Sequence, residues 1–159
     1  MTIQAGDTIP EVTLSFMSEN GPEPFSSSEI FRDKKVVLFS VPGAFTPTCS
    51  ARHLPGYVDH ADDFHARGLD TIACMSVNDV FVMDAWGKSA GADKILMLAD
   101  GNGEFARALG LELDATMFGM GHRSQRFALV AEDGVISQLF IEGPGEFQVS
   151  SAEHVLSSL

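Results

Sequence analysis

The chain has 159 residues, 45% of them hydrophobic, and a formal charge of -12. That length suits one compact domain spanning 1–159 with a real core, and the charge leaves no basic face for binding a phosphate backbone. No apolar run approaches the ~18 residues of a membrane span, and the start "MTIQAGDTIPEVTL" has neither a basic region nor an apolar h-region, so the chain reads as soluble and cytoplasmic. Two cysteines, Cys49 and Cys74, are too few for a disulfide framework or a four-cysteine zinc site, and they suit a reducing compartment.

In chain order, "EVTLSFM" alternates as a half-buried strand, "GPEP" reads as a turn and "SSSEIF" as a capped helical turn. "KKVVLFSV" is a valine-rich run that fits a strand buried on both faces. "CSARHLPGYVDHADDFHARG" carries helical spacing at Leu54, Tyr57, Val58, Ala61 and Phe64, with a kink expected at Pro55 and a stop at Gly68. A second buried strand, "LDTIACMSVND", precedes a helix over "DVFVMDAWGKSAGA" capped by Asn78 or Asp79. "KILMLAD" is a third strand, closed by the turn "DGNG" and followed by a short helix, "GEFARALG". "RFALVAEDGVISQLFIE" is two alternating runs around Asp133-Gly134, a hairpin signal, and "SSAEHVLSSL" is a terminal helix. This order predicts an α/β protein with a central mixed β-sheet flanked by helices, the plan of a thioredoxin-like fold.

The stretch "VPGAFTPTCS" raises the functional question. Pro42 and Gly43 end a strand and Thr46 and Pro47 open a helix, which places Cys49 in its first turn. There the helix dipole and backbone N–H groups favour thiolate over thiol, and such cysteines reach a pKa of roughly 3.5–7.5. The residues alone leave two readings, a reactive thiol and a small buried apolar side chain.

Pro42, Thr46 and Cys49 fit P-x-x-x-T-x-x-C, and "PGAFTPTCS", "HLPGY", "SVNDVFVMDAW", "LADGNGEF", "RSQRFALV" and "VSSAEHVL" extend the likeness over nearly the whole chain. By these blocks the sequence resembles the peroxiredoxins, in their type II, atypical two-cysteine branch. The resemblance implies a thioredoxin-like fold and a thiol peroxidase that reduces hydrogen peroxide and alkyl hydroperoxides without metal, haem or flavin. It makes Cys49 the peroxidatic nucleophile, oxidised to sulfenic acid. Thr46 would set its hydroxyl against peroxide and sulfur, although a helix-cap hydroxyl is equally open. Pro42 would shield the thiolate, and Arg126, the arginine immediately before the aromatic residue of "RSQRFALV", would hold thiolate and polarising O–O bond. Ionisation alone supplies only about 13-fold. Arg126, Thr46 and the N–H groups of Thr48 and Cys49 are therefore expected to act on the transition state. Cys74, 25 residues on, is either the resolving thiol or core packing. The competing route is recycling by glutathione/glutaredoxin or thioredoxin. The resemblance also implies a homodimer, for which Phe45, Phe81, Trp86 and Phe118 are candidates.

Other signals point elsewhere. "GNGEFA" superficially matches a dinucleotide fingerprint but lacks the βαβ unit and acidic partner, so it is expected to be a turn. Cys49 and His53 have metal-ligand spacing without further ligands, and His53 is expected to orient the local backbone. Arg123 is expected in solvent, Arg52 in a salt bridge, and His60, His65, His122 and His154 on the surface. The sequence has no C-x-x-C, no fused glutaredoxin module and no C-terminal cysteine arm, from which relative resistance to overoxidation is expected. The rival to an enzyme is a redox sensor or holdase that uses Cys49 oxidation to change its partners.

Overall fold

The computed structural model describes residues 2–159. Among the described residues nine strands are present: β1 Thr13–Ser18, β2 Gly21–Ser26, β3 Lys35–Ser40, β4 Thr71–Ser76, β5 Leu96–Ala99, β6 Glu112–Asp114, β7 His122–Ser124, β8 Phe127–Glu132 and β9 Val135–Ile141. The helices are α1 Ser27–Phe31, α2 Leu54–Asp59, α3 Ala61–Ala66, α4 Val80–Ser89, α5 Glu104–Leu109 and α6 Ala152–Ser157. Seven strands form one sheet in the order β2-β1-β5-β4-β3-β8-β9, and β6 and β7 pair separately. The neighbours β3, β4 and β5 run parallel, while β1 and β8 join them antiparallel, so the sheet is mixed and thioredoxin-like as expected.

Alternation along β3 divides the core. Val37 and Phe39 join Tyr57, Phe64, Cys74, Trp86 and Val155 on one face, and Val36 and Leu38 join Ile30, Phe31, Phe105 and Leu109 on the other. Both faces are covered, which is why the run reads as continuously apolar. At the β8–β9 turn, Asp133 and Gly134 take φ of 48° and 78°, the pair of positive values a two-residue hairpin loop requires.

Three expectations about elements are corrected, and one alternative is decided. "GPEP" is not a turn but most of β2: an edge strand tolerates Pro22 and Pro24, which have no N–H to give to a ladder. The long helix is interrupted at His60, and Pro55 lies in the first turn of α2. Before it, Cys49–His53 forms a π-helical turn, with Leu54 N–H donated to the Cys49 carbonyl. Pro55 has no donor to hold that preceding turn at the tighter α spacing. The helix cap of α4 is Asp79, whose carboxylate accepts from Val82 N–H at 2.9 Å. Asn78 instead uses its Oδ1 to accept from Ala44 N–H at 2.9 Å and from the Ser76 hydroxyl at 2.6 Å, tying the Cys49 loop to the end of β4.

Candidate active site

The loop that leaves β3 is constrained before it reaches Cys49. Phe45 adopts φ 64°, a left-handed conformation unfavourable for a bulky residue. Gly43 is hemmed in: a Cβ there would come within 3.2–3.3 Å of Thr46 Cγ2, Arg123 Nη1 and Met120 Cε. These contacts bring Thr46 back over the start of the helix, where its carbonyl accepts Ser50 N–H at 2.9 Å. Its hydroxyl caps no helical N–H. It lies 2.8 Å from Cys49 Sγ and 2.7 Å from the Gly43 carbonyl.

Cys49 is buried, and its sulfur has a second partner: Arg126 Nη2 donates to it at 3.0 Å. Arg126 directly precedes β8, next to β3 in the sheet, so strand pairing brings residues 77 positions apart together. Its other arm, Nη1, lies 2.8 Å from His53 Nδ1. A guanidinium only donates, so Nδ1 is the acceptor and the ring proton sits on Nε2, which donates to the Ser150 carbonyl at 3.1 Å. Burial first, then the neighbouring Arg126 charge, push the His53 pKa down to about 3, against the pull of the Ser150 carbonyl. The imidazole is neutral. His53 therefore orients Arg126, not merely the local backbone.

Pro42, Thr48 and Arg126 open on a cavity of about 350 Å³ whose other lining is Leu113, Gln125 and the loop Glu142–Glu146. The same loop continues into Phe147, whose ring lies 4.8 Å from His53, 4.7 Å from the Arg52 guanidinium and 5.8 Å from that of Arg126. A sulfur between a hydroxyl and a fixed guanidinium, beside a small cavity, can hold negative charge and meet a small polar molecule. Among the described residues no group of three or more His, Cys, Asp or Glu is placed to hold a metal ion; Cys49 and His53 share Arg126 instead.

The profile of the Redoxin family matches residues 4–156. The chain belongs to that family. Peroxiredoxin-2B of Arabidopsis thaliana is 47% identical, over 99% of this chain and 98% of its own length, and chloroplastic Peroxiredoxin-2E-2 of Oryza sativa is 50% identical, over 99% and 73%. Reduced Prx3 of Vibrio vulnificus, solved in complex with hydrogen peroxide, superposes with a TM-score of 0.96 at 52% identity, over 99% of each chain. This protein is thus a peroxiredoxin, a thiol peroxidase of antioxidant function.

Within the peroxiredoxin, several side chains sit where the sequence did not place them. Arg123 is not in solvent: its guanidinium donates to the Met120 carbonyl at 2.8 Å and the Val77 carbonyl at 3.1 Å, bracing the loop around Gly43. Arg52 makes no salt bridge among the described residues and lies over Phe147. Trp86 is buried, with its indole N–H donated to the Ser50 hydroxyl at 3.0 Å, so it belongs to the core, whereas Phe45, Phe81 and Phe118 are exposed. His65, His122 and His154 are exposed, and His60 is half-buried against Asp63. "GNGEFA" is a turn and the start of α5, with Asp100 accepting from Phe105 and Ala106 N–H. Cys74 is buried in β4 on the same core face as Cys49. Glu142 and Phe147 were not singled out from the sequence, because nothing local marks a residue that acts on a helix more than 80 positions away.

Proposed function

We propose that Cys49 is the peroxidatic cysteine and that Pro42, Thr46, Arg126 and the N–H groups of Thr48 and Cys49 form its peroxide site. The thiolate sulfur attacks one peroxide oxygen, the O–O bond breaks, and the departing alkoxide or hydroxide takes a proton to leave as alcohol or water. Cys49 becomes sulfenic acid. Arg126 and Thr46 follow the charge from sulfur to the departing oxygen, and Pro42 screens the sulfur from bulk water. The observation that carries this reading is the pair of donors on Cys49 Sγ, Thr46 at 2.8 Å and Arg126 at 3.0 Å.

Recycling by an external thiol, glutathione with glutaredoxin or thioredoxin, fits better than attack by Cys74. Cys74 lies in an interior strand, and burial first, then the nearby Cys49, push its thiol pKa well above the ordinary value, Arg126 acting the other way. Little thiolate is available there to attack. The substrates are hydrogen peroxide and alkyl hydroperoxides, the former being the molecule held by the Vibrio protein. The unit of action is a cytoplasmic, one-domain chain assembled as a homodimer through the exposed Phe45, Phe81 and Phe118; no helix among the described residues is long and apolar enough to cross a membrane.

The test is peroxide consumption with glutathione/glutaredoxin and with thioredoxin, side by side, for the wild type and Cys49→Ser. Many peroxides reduced per wild-type chain, and none by the variant, is the expected result. Stoichiometric oxidation without turnover under every excess reductant would favour the sensor reading.

A further inference from the structure

Glu142, just beyond β9, lines the same cavity as Arg126, yet the two form no ion pair among the described residues. Its Oε2 instead accepts from Gln148 N–H at 2.8 Å, Ser150 N–H at 2.8 Å and the Ser150 hydroxyl at 2.6 Å. Burial opposes its charge, but the Ser150 hydroxyl and the N–H groups of Ser150, Gln148 and Val149 outweigh it and hold Glu142 below the ordinary carboxylate range. Glu142 N–H continues the β8–β9 pairing onto the Arg126 carbonyl at 3.1 Å, and beyond it the carboxylate so anchored fixes a loop that no sheet pairing holds. The loop presents the Ser150 carbonyl to two buried donors, His53 Nε2 at 3.1 Å and the Tyr57 hydroxyl at 2.8 Å. A carbonyl can only accept, so the ring nitrogen facing it, Nε2, carries the proton and the Nδ1 lone pair is left for Arg126. The charged and titratable groups around the ring are Arg126 and Tyr57, with Cys49 and Glu142 one contact further and Arg52 across Phe147.

We propose that Glu142 is a positioning residue for the peroxidase reaction, acting on Arg126 through the Ser150 carbonyl and the neutral imidazole of His53. The proposal rests on the reading that Cys49 and Arg126 form the peroxide site. Its electrostatic logic is specific. An anion paired with Arg126 would orient the guanidinium but cancel charge the sulfur and the departing oxygen need. A neutral acceptor fixes the same fork and cancels nothing. The carboxylate supplies the rigidity from a distance, directed onto backbone N–H groups.

Glu142→Gln keeps the shape and removes the charge. The readouts are the single-turnover rate of reduced enzyme with hydrogen peroxide and the ¹⁵N spectrum of the His53 ring. The rate is expected to fall roughly 10- to 100-fold through misplacement of the guanidinium. The ring is expected to lose its single Nε2–H form. An unchanged ring spectrum together with a rate within about twofold of wild type would overturn the proposal. Should Glu142→Gln not fold, His53→Asn and His53→Leu decide, because asparagine keeps an uncharged acceptor near the Nδ1 position and leucine does not. The asparagine variant is expected to react about tenfold faster than the leucine variant, and equal rates count against the relay. A wild type that forms no sulfenic acid on Cys49 removes the underlying reading. A competent wild type with an unaffected Glu142→Gln removes only the positioning role.

Discussion

Thr46 has one hydroxyl proton and two acceptors within reach, the Gly43 carbonyl at 2.7 Å and Cys49 Sγ at 2.8 Å. While the sulfur is a thiol, the threonine can donate to the carbonyl and receive the S–H; once the sulfur is a thiolate, the O–H turns to it. Such a rotor follows charge without moving the backbone. Thr46→Val keeps the shape and removes the rotor, so the rate with hydrogen peroxide should fall by about 100-fold, the scale of one lost oxyanion donor. Alkylation of Cys49 by iodoacetamide, which needs no such donor, should change far less; equal losses would return Thr46 to a purely structural part. Arg126→Ala separates charge stabilisation from ionisation. At pH 9 even an ordinary thiol is largely ionised, so a deficit that persists there, of about tenfold or more, is the expected outcome. Full recovery at pH 9 would reduce the arginine to an ionising role.

The elements around the site differ in how much freedom they leave. The loop from Pro42 to Thr46 is strained at Phe45 and packed at Gly43, and the π-helical turn after it gives Cys49–His53 a looser ladder than an α-helix. Strand β4, by contrast, is paired on both sides, Phe39 opposite Cys74 in β3 and Met97 opposite it in β5. A disulfide from Cys49 to Cys74 would have to open the helical turn and shift a strand that both neighbours hold. Cys74→Ser should accordingly keep most turnover with glutathione and glutaredoxin, while losing about 1–3 kcal/mol in urea unfolding for a hydroxyl placed in an apolar strand. Loss of turnover, together with a dominant Cys49–Cys74 disulfide after one equivalent of peroxide, would restore the two-cysteine route.

At the scale of the whole molecule, the buried network makes stability depend on acid. The native His53 ring resists protonation down to about 3, whereas the unfolded chain takes that proton near 6.5. In that window the unfolded state binds more protons, so native stability is lost as pH falls, at about 1.4 kcal/mol per pH unit for this one group. His53→Asn removes the titration, and the stability gap between wild type and variant should narrow by about 2 kcal/mol from pH 6.5 to pH 5. A constant gap would mean that the ring is not held neutral. The exposed Phe45, Phe81 and Phe118 bear on assembly, since large apolar side chains in water favour a partner. For the homodimer proposed above, Phe118→Glu, at an exposed position, should shift sedimentation from dimer to monomer without altering the fold. Unchanged sedimentation would place the interface elsewhere.

The succession of the interior strands and their helices along the chain was legible in the sequence because it is written in local signals: valine runs, helix caps, glycine stops and the Asp133-Gly134 turn. The motif of the proposed site was legible as a local pattern for the same reason, since Pro42, Thr46 and Cys49 lie within eight residues. Where local chemistry misled, a neighbour had decided: Pro22 and Pro24 read as a turn until an edge position made them a strand, and Arg123 read as solvated until two carbonyls claimed it. Arg126 was reached by resemblance, but its orientation was not legible. Its partners, Cys49 and His53, lie on a helix more than 70 positions away and meet it only because β3 and β8 are neighbours and the helix packs over them. The neutrality of His53 likewise follows from burial beside a guanidinium, and the place of Glu142 from a loop that folds back onto it. Pattern along a chain reports which face a residue prefers, while hydrogen bonds and charge depend on what arrives from elsewhere, and that was decided by the tertiary structure.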